Sequence, residues 1–399
     1  MIKTKTLLIL GAGASMDYDF PSGFRLMEDI LNFVSEKVKM FEMAYEQRLI
    51  FLALLLSYDD KDVERDKFGL NIQLIKDFAR DLEYSGIRSI DEFLANKEQY
   101  KSLGKLCIAI CISNYEGKVG TFNKVWNEEE KRYTLRHQWY AHLWQRICET
   151  EHDNILLSID DLKQSIKNLV IVTFNYERSL EQYLVNAIQG HFGLSGSAAL
   201  ELVNQNLKII HVYGDLGSLN DAPFGSLAKG LTERNADIFD EISKLQEWHN
   251  ANDDSSPIWS YSQKTIQGWI APFRAVEGSF RTFMEVANDN NRVLLDEDGI
   301  DRIFIFGFGF HDSNLSLFAN FMRDCRYLDD SFPPISGTCK GLSLVEKRRL
   351  RSIFADEDMF SLEVIIDGVV PENVSKDKKR IEFFDMGILE FFRDALPLV

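Results

Sequence analysis

An α/β architecture with a doubly wound parallel sheet is predicted by three features of the sequence. Short, continuous apolar runs recur along the 399 residues, the pattern of strands buried on both faces. Amphipathic stretches of helical period follow several of those runs. Glycine-containing turns stand where strand gives way to helix, and strands alternating with helices build parallel, Rossmann-like sheets.

The runs are Thr6 to Leu10, Leu169 to Phe174, Ile209 to Tyr213, Ile303 to Phe308 and Leu362 to Ile366, with Ile381 to Phe384 as a sixth. After Asn175, Leu180, Tyr183 and Leu184 are spaced i, i+3, i+4; after Asp312, Leu315, Phe318, Ala319 and Met322 form a similar stripe. Between residues 24 and 164 strand signals are few. Leu26, Ile30, Phe33 and Val34 repeat there at helical spacing, as do Trp139, Leu143, Trp144 and Ile147. That stretch is read as a large helical insertion. Residues 1–23 and 165–399 then form one core, with a polar cover segment near 222–270. Ser343 and Glu346 have capping-box spacing at the start of a helix bearing Lys347, Arg348, Arg349 and Arg351, which is read as a solvated face.

Composition narrows the function. Apolar residues make up 45% and charged residues 27%, an ordinary globular mix. No apolar run has the length of a membrane span, and the start lacks the long apolar region of a secretory signal, so a cytoplasmic protein is expected. The net charge of −17 offers no general basic face for displacing counterions from nucleic acid, and no direct nucleic-acid binding is expected. Cys107, Cys111, Cys148, Cys325 and Cys339 form no C-x-x-C pair, and the histidines form no H-E-x-x-H. His137 and His142 are five apart and do not share a helical face. Reduced thiols and no metal are expected.

Four segments carry candidate chemistry. In LLILGAGAS, residues 7–15, a strand runs into a loop. Gly11 and Gly13, with Ala12 between them, permit a tight turn and close approach of N–H groups to a pyrophosphate, and Ser15 adds a hydroxyl. Met16 replaces the third glycine of the dehydrogenase fingerprint, and no second strand ends in an acidic residue about 20 residues on. Hydride transfer is therefore disfavoured. IVTFNYERSLE, residues 171–181, delivers Thr173 and Asn175 to a strand end, where such sheets bind ligands. Asn175 either caps the following helix or takes part in chemistry; Glu177 lies in the first helical turn, where a carboxylate is stabilising anyway. IIHVYGDLGSL, residues 209–219, places His211 and Tyr213 on one strand face. His211 is either a satisfied core residue or a base of tuned pKa. IFIFGFGFHDSNLSL, residues 303–317, repeats strand, glycine turn and helix. Gly307 and Gly309 would let a ribose or base lie against the backbone, and Asp312 and Asn314 either bind it or cap the helix.

Taken in this order, the segments resemble the sirtuin-like superfamily, and more narrowly its bacterial antiphage branch, whose members hydrolyse NAD. Residues 11–15 match its GAGAS loop and Phe20-Pro21-Ser22-Gly23 the element after it. Thr173, Asn175 and Glu177 match its T-x-N-x-D segment, residues 209–217 its histidine-glycine segment and 307–309 its late glycine strand. SIDEFL, residues 89–94, is similar to a helical-insert motif of the branch. The four-cysteine zinc module of the deacylating sirtuins is absent, which within this family implies glycohydrolysis. Tyr213 stands before Gly214 where the family carries its catalytic histidine, so the role falls to His211, and Glu177 replaces an aspartate beside the nicotinamide ribose.

The resemblance implies an NAD glycohydrolase that acts as a defence effector by depleting cellular NAD. Nicotinamide would leave the anomeric carbon through an oxocarbenium-like state, and water would then attack. Asn175 and His211 would be catalytic, the first positioning ribose or water and the second accepting a proton. Gly11, Ala12, Gly13, Ser15, Thr173, Glu177, Gly307, Gly309 and Asp312 would line NAD, which is the substrate, with no metal. A homo-oligomer and a HerA-type ATPase or Argonaute-like partner are further implications. The competing readings are a non-catalytic NAD or ADP-ribose sensor and a zinc-free deacylase.

Overall fold

The computed structural model describes residues 2–36, 43–57, 65–87, 89–118, 122, 124–127, 131–135, 138–149, 157–232, 242–244, 247, 271–282, 285–286, 299–310, 314, 317–318, 333–355, 363–367 and 380–394. Asp312, Leu315, Ala319, Met322, His137, Cys325 and most of the expected cover segment lie outside the described residues.

The strands are β1 (Thr6–Leu10), β2 (Lys124–Asn127), β3 (Arg132–Leu135), β4 (Leu169–Thr173), β5 (Lys208–His211), β6 (Arg302–Phe306), β7 (Ile335–Thr338), β8 (Glu363–Ile366) and β9 (Arg380–Phe384). The seven-stranded sheet has the order β5-β4-β1-β6-β7-β9-β8, and every pairing in it is parallel. Each of the six apolar runs forms one of its strands. The seventh, β7, reads Ile-Ser-Gly-Thr and is too short and polar to declare itself. A Cβ on its Gly337 would stand 2.7 Å from the Ile305 carbonyl oxygen, so close packing against β6 selects the glycine. The antiparallel pair β2–β3 is a second sheet within the insertion, where the sequence suggested helix.

Helices flank both faces of the sheet. Among the described residues they include α1 (Gly23–Val34), α2 (Tyr45–Leu56), α3 (Arg65–Tyr84), α4 (Ile90–Ala95), α5 (Lys101–Lys118), α6 (Trp139–Cys148), α7 (Ile159–Lys167), α8 (Ser179–Phe192), α9 (Gly196–Asn206), α10 (Ser226–Thr232), α11 (Leu344–Ala355) and α12 (Ile388–Asp394). Strand side chains alternate between the two faces. Leu7, Ile9, Val170, Val172, Ile303 and Ile305 share a core with residues of α1, α2, α3 and α5. Leu8, Leu10, Leu169, Ile171, Phe304 and Phe306 share the other with residues of α6, α8, α9 and α12. The insertion thus supplies cover to both faces. The predicted capping box at Ser343 forms: its N–H donates to Glu346 at 2.7 Å and its Oγ accepts the Glu346 N–H at 3.3 Å. Among the described residues no helix is long and apolar enough to cross a membrane.

Winding reverses between β1 and β6, the position where doubly wound sheets open a crevice. Here the two backbones touch. Gly11 N–H donates to Phe306 O at 3.0 Å and Gly13 N–H to Gly307 O at 2.9 Å. A Cβ on Gly11 would lie 2.6 Å from Gly307 O, and one on Gly13 2.8 Å from Gly307 Cα. Gly307 itself has φ +59°, and its Cβ would lie 2.1 Å from Ala14 N. The seam therefore admits glycine alone. Gly307→Ala is expected to destabilise the protein by at least about 2 kcal/mol through strain and backbone overlap. Gly190→Ala, at an open position on exposed α8 surface with nothing within 4 Å, should instead stabilise it by about 0.5–1 kcal/mol. Denaturant titration of the two variants checks both signs.

Candidate active site

Parallel pairing brings the candidate segments to one edge of the sheet. Leu10 is in register with Thr173 and Phe306, and Thr173 with His211. The chain beyond each of those strand ends therefore emerges at the same place.

The Gly11–Ser15 loop is held from both sides. The N–H groups of Ala14 and Ser15 bond within the loop, to Gly11 O at 2.9 Å and Ala12 O at 3.2 Å, and those of Gly11 and Gly13 are occupied in the glycine seam. The loop thus uses these donors to fix its own shape, where the sequence suggested that they face a pyrophosphate. Residues 138–140 pin it from the insertion. Trp139 Nε1 donates to Ala14 O at 2.7 Å, Gln138 Nε2 to Asp17 O, and Tyr140 N–H to Tyr18 Oη at 2.8 Å. Ser15 is buried, and its Oγ accepts from Asn175 Nδ2 at 3.3 Å.

Residues 173–178 alternate in direction as the chain leaves β4. Phe174 and Tyr176 enter the core shared with α5, and Tyr176 Oη donates to Asp91 of the SIDEFL segment. Asn175 and Glu177 line a cavity on the opposite side. Thr173 Oγ1 accepts the Asn175 N–H at 3.1 Å. Asn175 does not cap α8, whose N-cap is Arg178. Glu177 takes the local structural part instead, its Oε2 accepting the Ser179 N–H at 2.5 Å. Arg178 is buried against Glu116 of α5: its Nη2 and Nε reach the two carboxylate oxygens at 2.6 and 3.1 Å. Its Nη1 donates to the carbonyls of Gly217 and Ala222 at 2.7 and 2.6 Å.

His211 ends β5 and stands against Asn175. Its Nδ1 lies 2.8 Å from Asn175 O, and its Nε2 lies 2.6 Å from Glu181 Oε1. Burial favours the neutral ring, but the charge and hydrogen bond of Glu181, the Asp215 carboxylate and the Asn175 carbonyl reverse that and raise its pKa to about 9. These partners favour the charged ring, in which both nitrogens donate. In this arrangement His211 pairs with Glu181 and clamps the Asn175 backbone. Tyr213 does not share its face, because β5 stops at His211 and residues 212–213 turn. Tyr213 enters the other core and donates to Asn314 Oδ1 at 2.6 Å.

The cavity has a volume of about 10 Å³ and is lined by Leu10, Ala14, Tyr140, Ile171, Thr173, Asn175, Glu177, Leu180, Glu181, Ile209 and His211. That is room for one water, not for a sugar. Asn175 Oδ1 is buried without a hydrogen-bond partner. Burial, with repulsion from Glu181, raises the Glu177 pKa to about 7 against the lowering effects of the Ser179 N–H and His211. Among the predicted residues, Ser15, Thr173, Asn175, Glu177 and His211 come together here, with Gly11, Ala12, Gly13 and Gly307 in the adjoining seam. Gly309 stands between the buried Phe308 and Phe310, and Asp312 lies outside the described residues.

Sequence reasoning missed Glu181, Tyr140, Arg178 and Glu116. Glu181 carries a signal: it is four residues after Glu177, the spacing that places both on one side of a helix start. The others are joined only by tertiary structure. Among the described residues no group of three or more His, Cys, Asp or Glu is placed to hold a metal. No protein-family model matches the sequence, and no curated protein matches it.

The raised His211 pKa contributes stability that is complete below the ordinary histidine value of 6.5 and is lost as pH rises through about 9. The melting temperature of the wild type is expected to fall across that window, and His211→Gln to flatten the fall; an equal slope in both proteins contradicts the ion pair. Glu116→Gln leaves the Arg178 charge buried and should lower stability by about 3–5 kcal/mol, read by denaturant unfolding.

Proposed function

We propose that this protein is an NAD glycohydrolase, converting NAD and water to nicotinamide, ADP-ribose and a proton. The observation that carries the proposal is the meeting of Thr173, Asn175, Glu177 and His211 around one small cavity at the carboxyl ends of β1, β4 and β5, with Ser15 hydrogen-bonded to Asn175 beside it. Those residues come from segments that resemble the NAD-cleaving sirtuin-like branch, and they lie beside the switch point where such sheets take nucleotides.

In this reaction the C1′–N bond breaks and its electron pair leaves with nicotinamide. The ribosyl cation is stabilised by surrounding acceptors and carboxylates, here Asn175 Oδ1, Glu177 and Glu181. His211 fixes the Asn175 backbone. In this reading the pyrophosphate lies along the Gly11–Ser15 loop and Gly307, with Gly309 toward the adenosine.

The cavity is closed to a ribose, so turnover requires the wall of Tyr140 and the Ser15 loop to part. Restraint of this kind suits a toxic, cytoplasmic defence effector released by self-assembly or by a partner such as a HerA-type ATPase or an Argonaute-like protein. The closed cavity and the occupied loop donors also favour a second reading, a sensor that binds NAD or ADP-ribose without turnover. Chromatography of NAD incubated with the protein, alone and with its partner, separates the two. The expected outcome is stoichiometric nicotinamide and ADP-ribose, with Asn175→Ala slower by about 10²-fold or more. Tight calorimetric binding with intact NAD under every activating condition supports the sensor instead.

A further inference from the structure

We propose that Glu177 is the group that takes the proton from the attacking water, which sits between its carboxylate and Asn175 Oδ1. The inference rests on the glycohydrolase reading and goes beyond it, since the resemblance gives Glu177 only a ribose contact.

Three features of the geometry carry it. The cavity has about 10 Å³, the room one water needs, and Thr173, Asn175, Glu177, Glu181 and His211 bring polar side chains to a lining that is otherwise largely apolar. Asn175 is buried, and its Oδ1 is an acceptor without a partner, so it can receive one of the water's O–H groups. Glu177 Oε1 lies 3.5 Å from Asn175 Nδ2, while its Oε2 is tied to the Ser179 N–H at 2.5 Å. One carboxylate oxygen is thus fixed by the backbone, and the other accepts only the long bond from Asn175 beside the cavity that both residues line. His211 is unsuited to the task, because Asn175 O and Glu181 occupy its nitrogens.

The charged and titratable groups around Glu177 set its behaviour. Glu181 of α8 repels its charge, His211 of β5 attracts it, Ser179 stabilises it, and Tyr140 of α6 bonds to Ser179 Oγ at 2.6 Å rather than to Glu177. The balance, dominated by burial, leaves Glu177 ionising at about 7, where a general base works best at cellular pH. As the C1′–N bond breaks, the water oxygen bonds to C1′. One O–H electron pair returns to oxygen, and the proton moves to Glu177 Oε1 and then to solvent.

The test is NAD turnover against pH for activated wild type, Glu177→Gln and Glu177→Asp, with and without azide. Azide is a nucleophile that has no proton to lose. The wild-type rate should rise through about pH 7. Glu177→Gln, whose amide oxygen can still accept the Ser179 N–H and whose melting temperature is measured beside the rate as the control for folding, should lose about 10²–10⁴-fold with water and lose the pH limb. Azide should restore turnover of Glu177→Gln as the azido-ribosyl product, and Glu177→Asp should keep the limb at a lower rate. If Glu177→Gln retains the rate and the limb, or if azide gives no rescue, Glu177 is not the base while the glycohydrolase reading stands. If wild type never cleaves NAD, both are overturned.

Discussion

The buried pair of Arg178 and Glu116 ties the site to the rest of the molecule. Two ions withdrawn from water carry a desolvation penalty of several kcal/mol each, and the structure offsets it by occupying their hydrogen-bonding groups. The guanidinium is shared among both Glu116 oxygens and the carbonyls of Gly217 and Ala222. Glu116 also receives the backbone N–H groups of Arg178 and Gly225. One ion pair thus joins insertion helix α5, the chain after β4 and the chain after β5. Because Arg178 is fixed, the preceding residues are fixed too, and their alternation sends Asn175 and Glu177 to the cavity and Tyr176 to Asp91. A hydrophobic pair of the same volume would bury as well, but it would not specify which backbone groups meet.

The insertion acts in the same way on the first loop. Trp139 and Gln138 reach carbonyls on either side of Ser15, and Tyr140 stacks on Tyr18 with ring centroids 3.8 Å apart. Both candidate loops are therefore braced by residues between β1 and β4, not by the sheet alone. The glycine seam sits beneath them as a second constraint, closing the crevice between β1 and β6 backbone to backbone. A site built this way is preorganised, and its opening depends on the insertion. Whatever moves α5 or residues 138–140 moves the walls of the cavity.

Much of this was legible in the sequence because buried strands leave a direct mark. Thr6–Leu10, Leu169–Thr173 and Arg302–Phe306 are apolar on both faces, and each ends at a glycine or a polar turn, so their positions and shared orientation follow from composition. The short strand Ile335–Thr338 left no such mark, since its glycine answers to a neighbour. The clustering of Asn175 with Ser15 followed from placing each segment after a strand of one parallel sheet. The state of His211 did not follow, because Glu181 and Asp215 approach it from other elements, and their charge decides which protonation state survives burial. Tyr213 was assigned the wrong face because the period-2 rule was carried one turn past the end of β5. The pairing of Arg178 with Glu116, 62 residues apart, is of a kind that no local pattern encodes.

The claim on which the rest turns is that the cavity beside Asn175 is where NAD is cleaved. A crystal structure of Asn175→Ala with NAD, formed under activating conditions, tests it directly. The expected result places the nicotinamide ribose at the carboxyl ends of β1, β4 and β5, with C1′ facing the Glu177 carboxylate and the pyrophosphate along the Gly11–Ser15 loop. NAD bound elsewhere, for example in the 250 Å³ cavity between α1 and α5 lined by Arg25 and Lys118, with the cavity beside Glu177 unchanged, contradicts it.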